Sequence, residues 1–267
     1  MAAATARPVP ACGDVPWRPV LVLLPPSETK APGGDGAALD LSALTAADAL
    51  TGVRTELVEA LVKLADDVTA SRAALGLSAK QDDEIARNAA LWTSPTLPAV
   101  QRYTGVLYDA LDIASLTRAQ RARADSRLAV GSALFGVVRA GDAIPAYRLS
   151  AGSTLPGLPS LRALWRPALG PVLTAVDDLV VDLRSGSYAA LAPVPGAVTV
   201  DVLSERPDGT RSVVSHFNKA HKGRLARLLA TTRAEPDDVV RLRGLLRRAG
   251  LHVEHSGGSA LTLVVPA

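Results

Sequence analysis

Val20-Leu21-Val22-Leu23-Leu24 is an unbroken run of five apolar residues closed by Pro25-Pro26. It is too short for an ordinary helix. With Trp17 as its start it reads as a strand buried on both faces and stopped by the prolines. The same shortness excludes a signal-peptide core and a bilayer span. A chain centred on such a strand must supply others beside it. Asp178 to Leu183, Val198 to Leu203, Arg211 to Phe217 and Leu261 to Val265 have the right lengths and composition. The Pro-Asp-Gly at 207–209 marks a hairpin between the second and third of these.

Helical periodicity fills most of the remainder. Leu57, Val58, Leu61 and Leu64 form an apolar stripe within a helical stretch from Ser42 to Leu75. Further helices are expected over Lys80 to Leu91, Pro98 to Leu111 and Leu116 to Ala124. Leu161 to Val176 is helical but interrupted at Pro167 and Pro171, and Pro236 to Ala249 closes at Gly250. Gly131 and Gly136 suggest close backbone approach. Residues 1–16, rich in Pro, Ala and Gly, are expected to form a flexible tail, and 17–267 a single α+β domain.

With 48% apolar and 21% charged residues, the composition is that of a globular chain, and a net charge of +3 carries no nucleic-acid argument by itself. The single cysteine, Cys12, excludes a disulfide framework and a cysteine metal site. Together with the short apolar runs it leads to a cytoplasmic expectation.

Charge is informative by position. Two of the five lysines, Lys219 and Lys222, stand three residues apart after the last β run, followed by Arg224 and Arg227. Cations in a first helical turn oppose the helix dipole. Leu225, Leu228 and Leu229 share one third of this helix, and the cations fan over the rest. The nearest acids in sequence begin with Glu235, beyond the helix, so either the basic face is simply solvated or an anion sits against it. Lys30 after the first strand, Arg148 in an irregular loop, and Arg184 in Arg184-Ser185-Gly186-Ser187 after a short strand are the other anion candidates. Strand ends of this kind are where ligands gather in open α/β sheets.

The Walker pattern is absent, so Ser27-Glu28-Thr29-Lys30 is not a phosphate loop of that type. Gly131-Ser132-Ala133-Leu134-Phe135 lacks the final glycine of a nucleophile elbow. The four histidines, His216, His221, His252 and His255, have no metal-ligand spacing, and neither a metal nor a cofactor is expected. Ser27, Tyr147 and His216 remain as proton-transfer candidates.

Several segments occur together in order: Leu23-Leu24-Pro25-Pro26-Ser27-Glu28-Thr29-Lys30, Arg102-Tyr103-Thr104-Gly105-Val106-Leu107-Tyr108, Leu134-Phe135-Gly136-Val137-Val138-Arg139 with Asp142, Tyr147-Arg148-Leu149, Leu183-Arg184-Ser185-Gly186-Ser187-Tyr188, and Lys219-Ala220-His221-Lys222-Gly223-Arg224 with Arg227. The chain resembles the YaaA family of peroxide-stress proteins over roughly residues 18 to 230. It departs from that pattern at its Pro-Pro-Ser-Glu turn and over its last forty residues. The resemblance implies a mixed β-sheet flanked by helices, a positively charged cleft and a helix-hairpin-helix-like element. It also implies binding of duplex or branched DNA, and protection from oxidative damage by lowering free iron. The cleft candidates carried over are Lys30, Arg148, Arg184, Lys219, Lys222, Arg224 and Arg227.

Peroxide chemistry needs an activated thiolate or a redox metal, and neither Cys12 nor the scattered histidines supplies one, so protection would come from binding. Two expectations remain. One is a DNA-binding stress protein whose basic cleft contacts phosphates. The other is an enzyme acting on a small phosphorylated or otherwise anionic substrate held by the same cations. Neither requires a membrane or an obligate protein partner.

Overall fold

The computed structural model describes residues 20–213 and 218–267. The tail at 1–16, Trp17, Cys12 and His216 lie outside the described residues. In chain order the strands are β1 (Val20–Leu24), β2 (Leu97–Pro98), β3 (Leu128–Ser132), β4 (Gly136–Arg139), β5 (Ala143–Ile144), β6 (Leu179–Asp182), β7 (Val198–Glu205), β8 (Arg211–Val213), β9 (His252–Gly257) and β10 (Ala260–Pro266). The helices are α1 (Ala47–Leu64), α2 (Val68–Leu75), α3 (Asp82–Ala89), α4 (Ala99–Arg102), α5 (Val106–Leu111), α6 (Arg118–Arg127), α7 (Leu161–Thr174), α8 (Gly186–Ala189), α9 (Asn218–Thr231) and α10 (Val239–Arg248).

The main sheet has the order β4-β3-β1-β6-β7-β10-β9, with β8 paired to β7. Strands β3, β1, β6, β7 and β10 run parallel, while β4 and β9 add antiparallel edges. This is the mixed sheet flanked by helices that the sequence led us to expect. All five β1 residues are buried, as a central parallel strand requires when both faces are covered. Its register sets Leu24 against Val130 on one side and Leu23 against Asp182 on the other.

The chain leaves β1, builds β3 and β4 to one side, then returns to place β6 on the other side. The loops after β1 and β6 therefore flank a topological switch point, where side chains from both can converge.

Local departures from expectation have packing causes. The stretch 42–75 is divided: α1 ends at Leu64, and the Asp67 side chain accepts from Ala70 N at 2.9 Å to start α2. The expected helix over 98–111 is split into α4 and α5, because Tyr103 forms an antiparallel bridge with Lys30 and Gly105 adopts φ +100°. Conversely, α7 runs through Pro167 and Pro171. Both prolines lie on its exposed side, while Leu161, Trp165, Leu169 and Leu173 are buried along the other, and the Trp165 indole donates to Ala133 O at 2.8 Å. That packing outweighs the ~3 kcal/mol a helical proline costs. Strand β9 has no counterpart in the sequence reading, because only Val253 in it is buried.

Candidate functional site

The prolines after β1 turn the chain, and α4 and α5 hold the loop beyond them. Tyr108 Oη donates to Pro25 O at 2.9 Å, Ala31 N donates to Arg102 O at 2.8 Å, and Thr104 N donates to Thr29 O at 3.3 Å. Arg102, wholly buried, donates its guanidinium to Ala31 O, Pro95 O and Ile144 O. Held in this way, the loop turns Lys30 inward until only 8% of it is exposed.

Lys30 Nζ donates to Ser27 O at 3.0 Å and to Glu28 O at 3.3 Å, and stands 4.1 Å from the centre of the Tyr147 ring and 5.5 Å from that of Tyr103. Burial brings its pKa down to about 7. Glu84 and Glu28 oppose the shift, and Arg148 and Arg87 add to it. Each carbonyl bond to an ammonium contributes about 1.5–3 kcal/mol and a desolvated cation–π contact about 2. Desolvation costs several kcal/mol and outweighs them enough to weaken the amine's hold on its proton.

Beside Lys30 runs a line of hydroxyls. Tyr147 Oη is 2.8 Å from Tyr103 Oη and 2.8 Å from Ser132 Oγ, and Ser132 Oγ accepts from Phe135 N at 3.0 Å in the turn between β3 and β4. Burial pushes both tyrosines above their ordinary range, so they stay protonated and serve as donors or relays rather than bases. Tyr188 in α8 is raised to about 12, chiefly by burial, while an Ala151 backbone bond and Arg148 act against the shift and Glu28 adds to it.

Asn88 fixes Arg148 by accepting from its N–H at 2.8 Å and donating to its carbonyl at 2.9 Å. The guanidinium then donates to Glu28 Oε2 at 3.0 Å. Arg184 is paired more completely. It donates to Asp182 through Nε at 2.9 Å and Nη2 at 2.7 Å, and to Ala192 O at 3.1 Å. Its side chain crosses the end of β1 against Gly131, where a Cβ would lie 2.7 Å from Arg184 Cδ. Lys222 Nζ donates to Leu183 O at 3.4 Å, and burial lowers its pKa against the pull of Asp201 and Asp182.

Lys30, Tyr147 and Arg148 are thus brought together, with Ser27 in the same loop, its Oγ 3.1 Å from Thr29 Oγ1. Arg184, which donates to Tyr188 O at 3.5 Å, and Lys222 meet at the loop after β6, and the Tyr188 phenol feels the charges of Glu28 and Arg148 in the first group. The remaining cations of α9 go elsewhere. Lys219 is exposed in its first turn. Arg224 lines a separate groove of about 880 Å³ with His221, Leu225, His252 and Val265. Arg227 donates to Leu111 O at 2.8 Å and Ser115 Oγ at 2.7 Å, with Asp112 Oδ2 at 3.5 Å. Its one acidic partner, Asp112, lies at the end of α5, not on its own helix. Sequence reasoning missed Asp182, Asn88 and Arg102. Only Arg102 stands inside one of the family-like segments, and nothing in the spacing marks the other two.

Among the described residues no group of three or more His, Cys, Asp and Glu is placed to hold a metal ion, and no helix is long and apolar enough to cross a membrane. The model of the peroxide stress protein YaaA family matches residues 20–256. The chain belongs to that family. Its relatives include UPF0246 proteins of Corynebacterium efficiens, 51% identical over 252 residues (92% of this chain, 100% of the relative), and of Corynebacterium glutamicum, 47% identical over the same coverage. A UPF0246 protein of Streptomyces coelicolor is 47% identical over 240 residues, 88% of this chain and 92% of its own length. The YaaA match begins at the first residue of β1 and takes in every residue of the Lys30, Arg148 and Arg184 environments.

Proposed function

We propose that this peroxide stress family member binds a small phosphorylated or otherwise anionic substrate at the switch point, between the loops after β1 and β6, and acts on it there. One observation carries the reading: a buried lysine of lowered basicity stands against a tyrosine–tyrosine–serine hydroxyl line, with Arg148 in the same loop cluster. A surface that only tracks a DNA backbone has no need for a desolvated amine and buried hydroxyls. In this reading Arg148 exchanges Glu28, a partner with 68% of its side chain exposed, for the substrate anion. Tyr147 supplies or relays a proton, and Arg184 with Asp182 keeps the loop after β6 in place. Inorganic phosphate and pyrophosphate, titrated calorimetrically, should bind the wild type and bind Arg148→Ala at least tenfold more weakly. Equal binding by both proteins would remove Arg148 from the site.

The exposed Lys219 and Arg224 of α9 favour a second reading, contact with duplex or branched DNA. It predicts affinity falling with salt at a log–log slope of about −0.9 per phosphate contact, and a slope reduced by about two in the Lys219→Ala, Arg224→Ala double variant. A salt-independent association would remove it. Under either reading the family's part in peroxide stress is exercised through what is bound.

A further inference from the structure

Lys30 is the one buried lysine among the described residues that combines a place at the switch point with aromatic walls. Neither acid that acts on Lys30 bonds its amine through a carboxylate: Glu84 pairs with Arg87, and Glu28 gives its carboxylate to Arg148 and only its carbonyl to Lys30. A methionine or leucine would fill such a position without the desolvation cost of an amine. Two backbone carbonyls orient Nζ, and the residue keeps 8% of its surface open beside the exposed Glu28 and Thr29. The neighbouring hydroxyl line can move protons. Orientation, residual access, apolar walls and a proton relay are together what an amine needs to act as a nucleophile.

We propose that Lys30 forms a Schiff base with the carbonyl group of a small anionic substrate. This rests on the reading of the switch point as an anion site. The neutral amine attacks the carbonyl carbon, and the C=O π pair moves to oxygen. That oxygen takes a proton delivered along Tyr147, and the ammonium of the adduct loses one. The proton the nitrogen gives up protonates the hydroxyl, which leaves as water while the nitrogen lone pair closes the C=N bond. The Schiff base thus ends protonated, and the one proton consumed is that delivered along Tyr147. No oxidant or reductant enters.

The test uses the full chain with glycolaldehyde phosphate and sodium cyanoborohydride at pH 7, followed by peptide mass mapping. Hydride reduces the imine to a stable secondary amine, and with five lysines in the chain each site can be read separately. Lys63, Lys80 and Lys219 are exposed, so access alone would favour them. Labelling of Lys30 at least tenfold above each of these is expected, with the preference abolished in guanidinium chloride. Labelling of the exposed lysines with Lys30 spared would overturn the proposal. Unphosphorylated glycolaldehyde separates the two claims. If it labels Lys30 as well as the phosphate ester does, the amine chemistry stands and the anion site falls. If Lys30 is spared while inorganic phosphate still binds, the anion site stands and the amine chemistry falls.

Discussion

Lys30 and Arg184 are both buried cations, and the chain treats them oppositely. Arg184 meets Asp182 through two nitrogens and keeps 1% of its side chain exposed. Removing one partner of such a pair leaves a buried charge uncompensated. Asp182→Ala should therefore lower unfolding free energy by about 3–5 kcal/mol, measured by urea denaturation. Lys30 has carbonyls and rings in place of a carboxylate, and its folded pKa, about 7, lies below its ordinary 10.5. Between those values the unfolded chain holds the proton and the folded chain does not, so stability attributable to Lys30 rises with pH across that window. Below pH 7 both states carry the proton and the contribution is at its lowest. Lys30→Met removes the titration while Glu84, Glu28, Arg148 and Arg87 remain. Wild-type stability minus that of the variant should thus grow from pH 7 toward 10.5, at no more than about 1.4 kcal/mol per unit. Parallel chemical denaturation curves at pH 6.5, 8 and 9.5 check the slope, and a flat difference would contradict it.

Helix α9 shows at the scale of an element what its own residues could and could not convey. Its apolar spacing forecast the buried side correctly, since Leu225 and Leu229 are buried. The destinations of its cations depend on partners distant in sequence: Leu183 for Lys222, and Leu111, Asp112 and Ser115 for Arg227. Periodicity carries no information about such partners. The same holds for α4 and α5, where a bridge to Lys30 breaks a helix that local propensity would continue. Contact between α5 and α9 depends on Gly223, where a Cβ would collide with Leu107 O and sit 2.8 Å from Ala110 Cβ. Alanine ordinarily stabilises a helical position by about 1 kcal/mol over glycine. Here the obstacle is backbone, so Gly223→Ala should reverse the sign and cost about 1–3 kcal/mol. Gly52 in α1, exposed and with open space at its Cβ, supplies the contrast, and Gly52→Ala should gain about 0.5–1 kcal/mol. Thermal melts of the two variants should shift in opposite directions.

At the scale of the molecule, the switch point gathers residues from the loop after β1, the end of β3, the 147–148 segment and the loop after β6. The sequence showed these segments as strand ends and motifs in a fixed order. Their meeting follows from the strand order β3-β1-β6, which no single segment encodes. The C-terminal region is the complementary case: it departs from the family-like pattern in sequence, yet the strand expected at its end is integral to the sheet. Strand β10 lies between β7 and β9, parallel to the first over seven register pairs from Ala260↔Thr199 to Pro266↔Glu205, and it buries Leu261 and Leu263 beside Val200 and Val202. A chain ended at Gly250 would leave one edge of β7 unpaired over most of its length and uncover the apolar faces that β10 closes. An exposed, flat, apolar edge of that kind recruits other chains. The truncated protein should lose the cooperative thermal transition of the full chain and elute as aggregate in size-exclusion chromatography. A monomer with an unshifted transition would show that the sheet is complete at β7, and that β9 and β10 are an attachment to it.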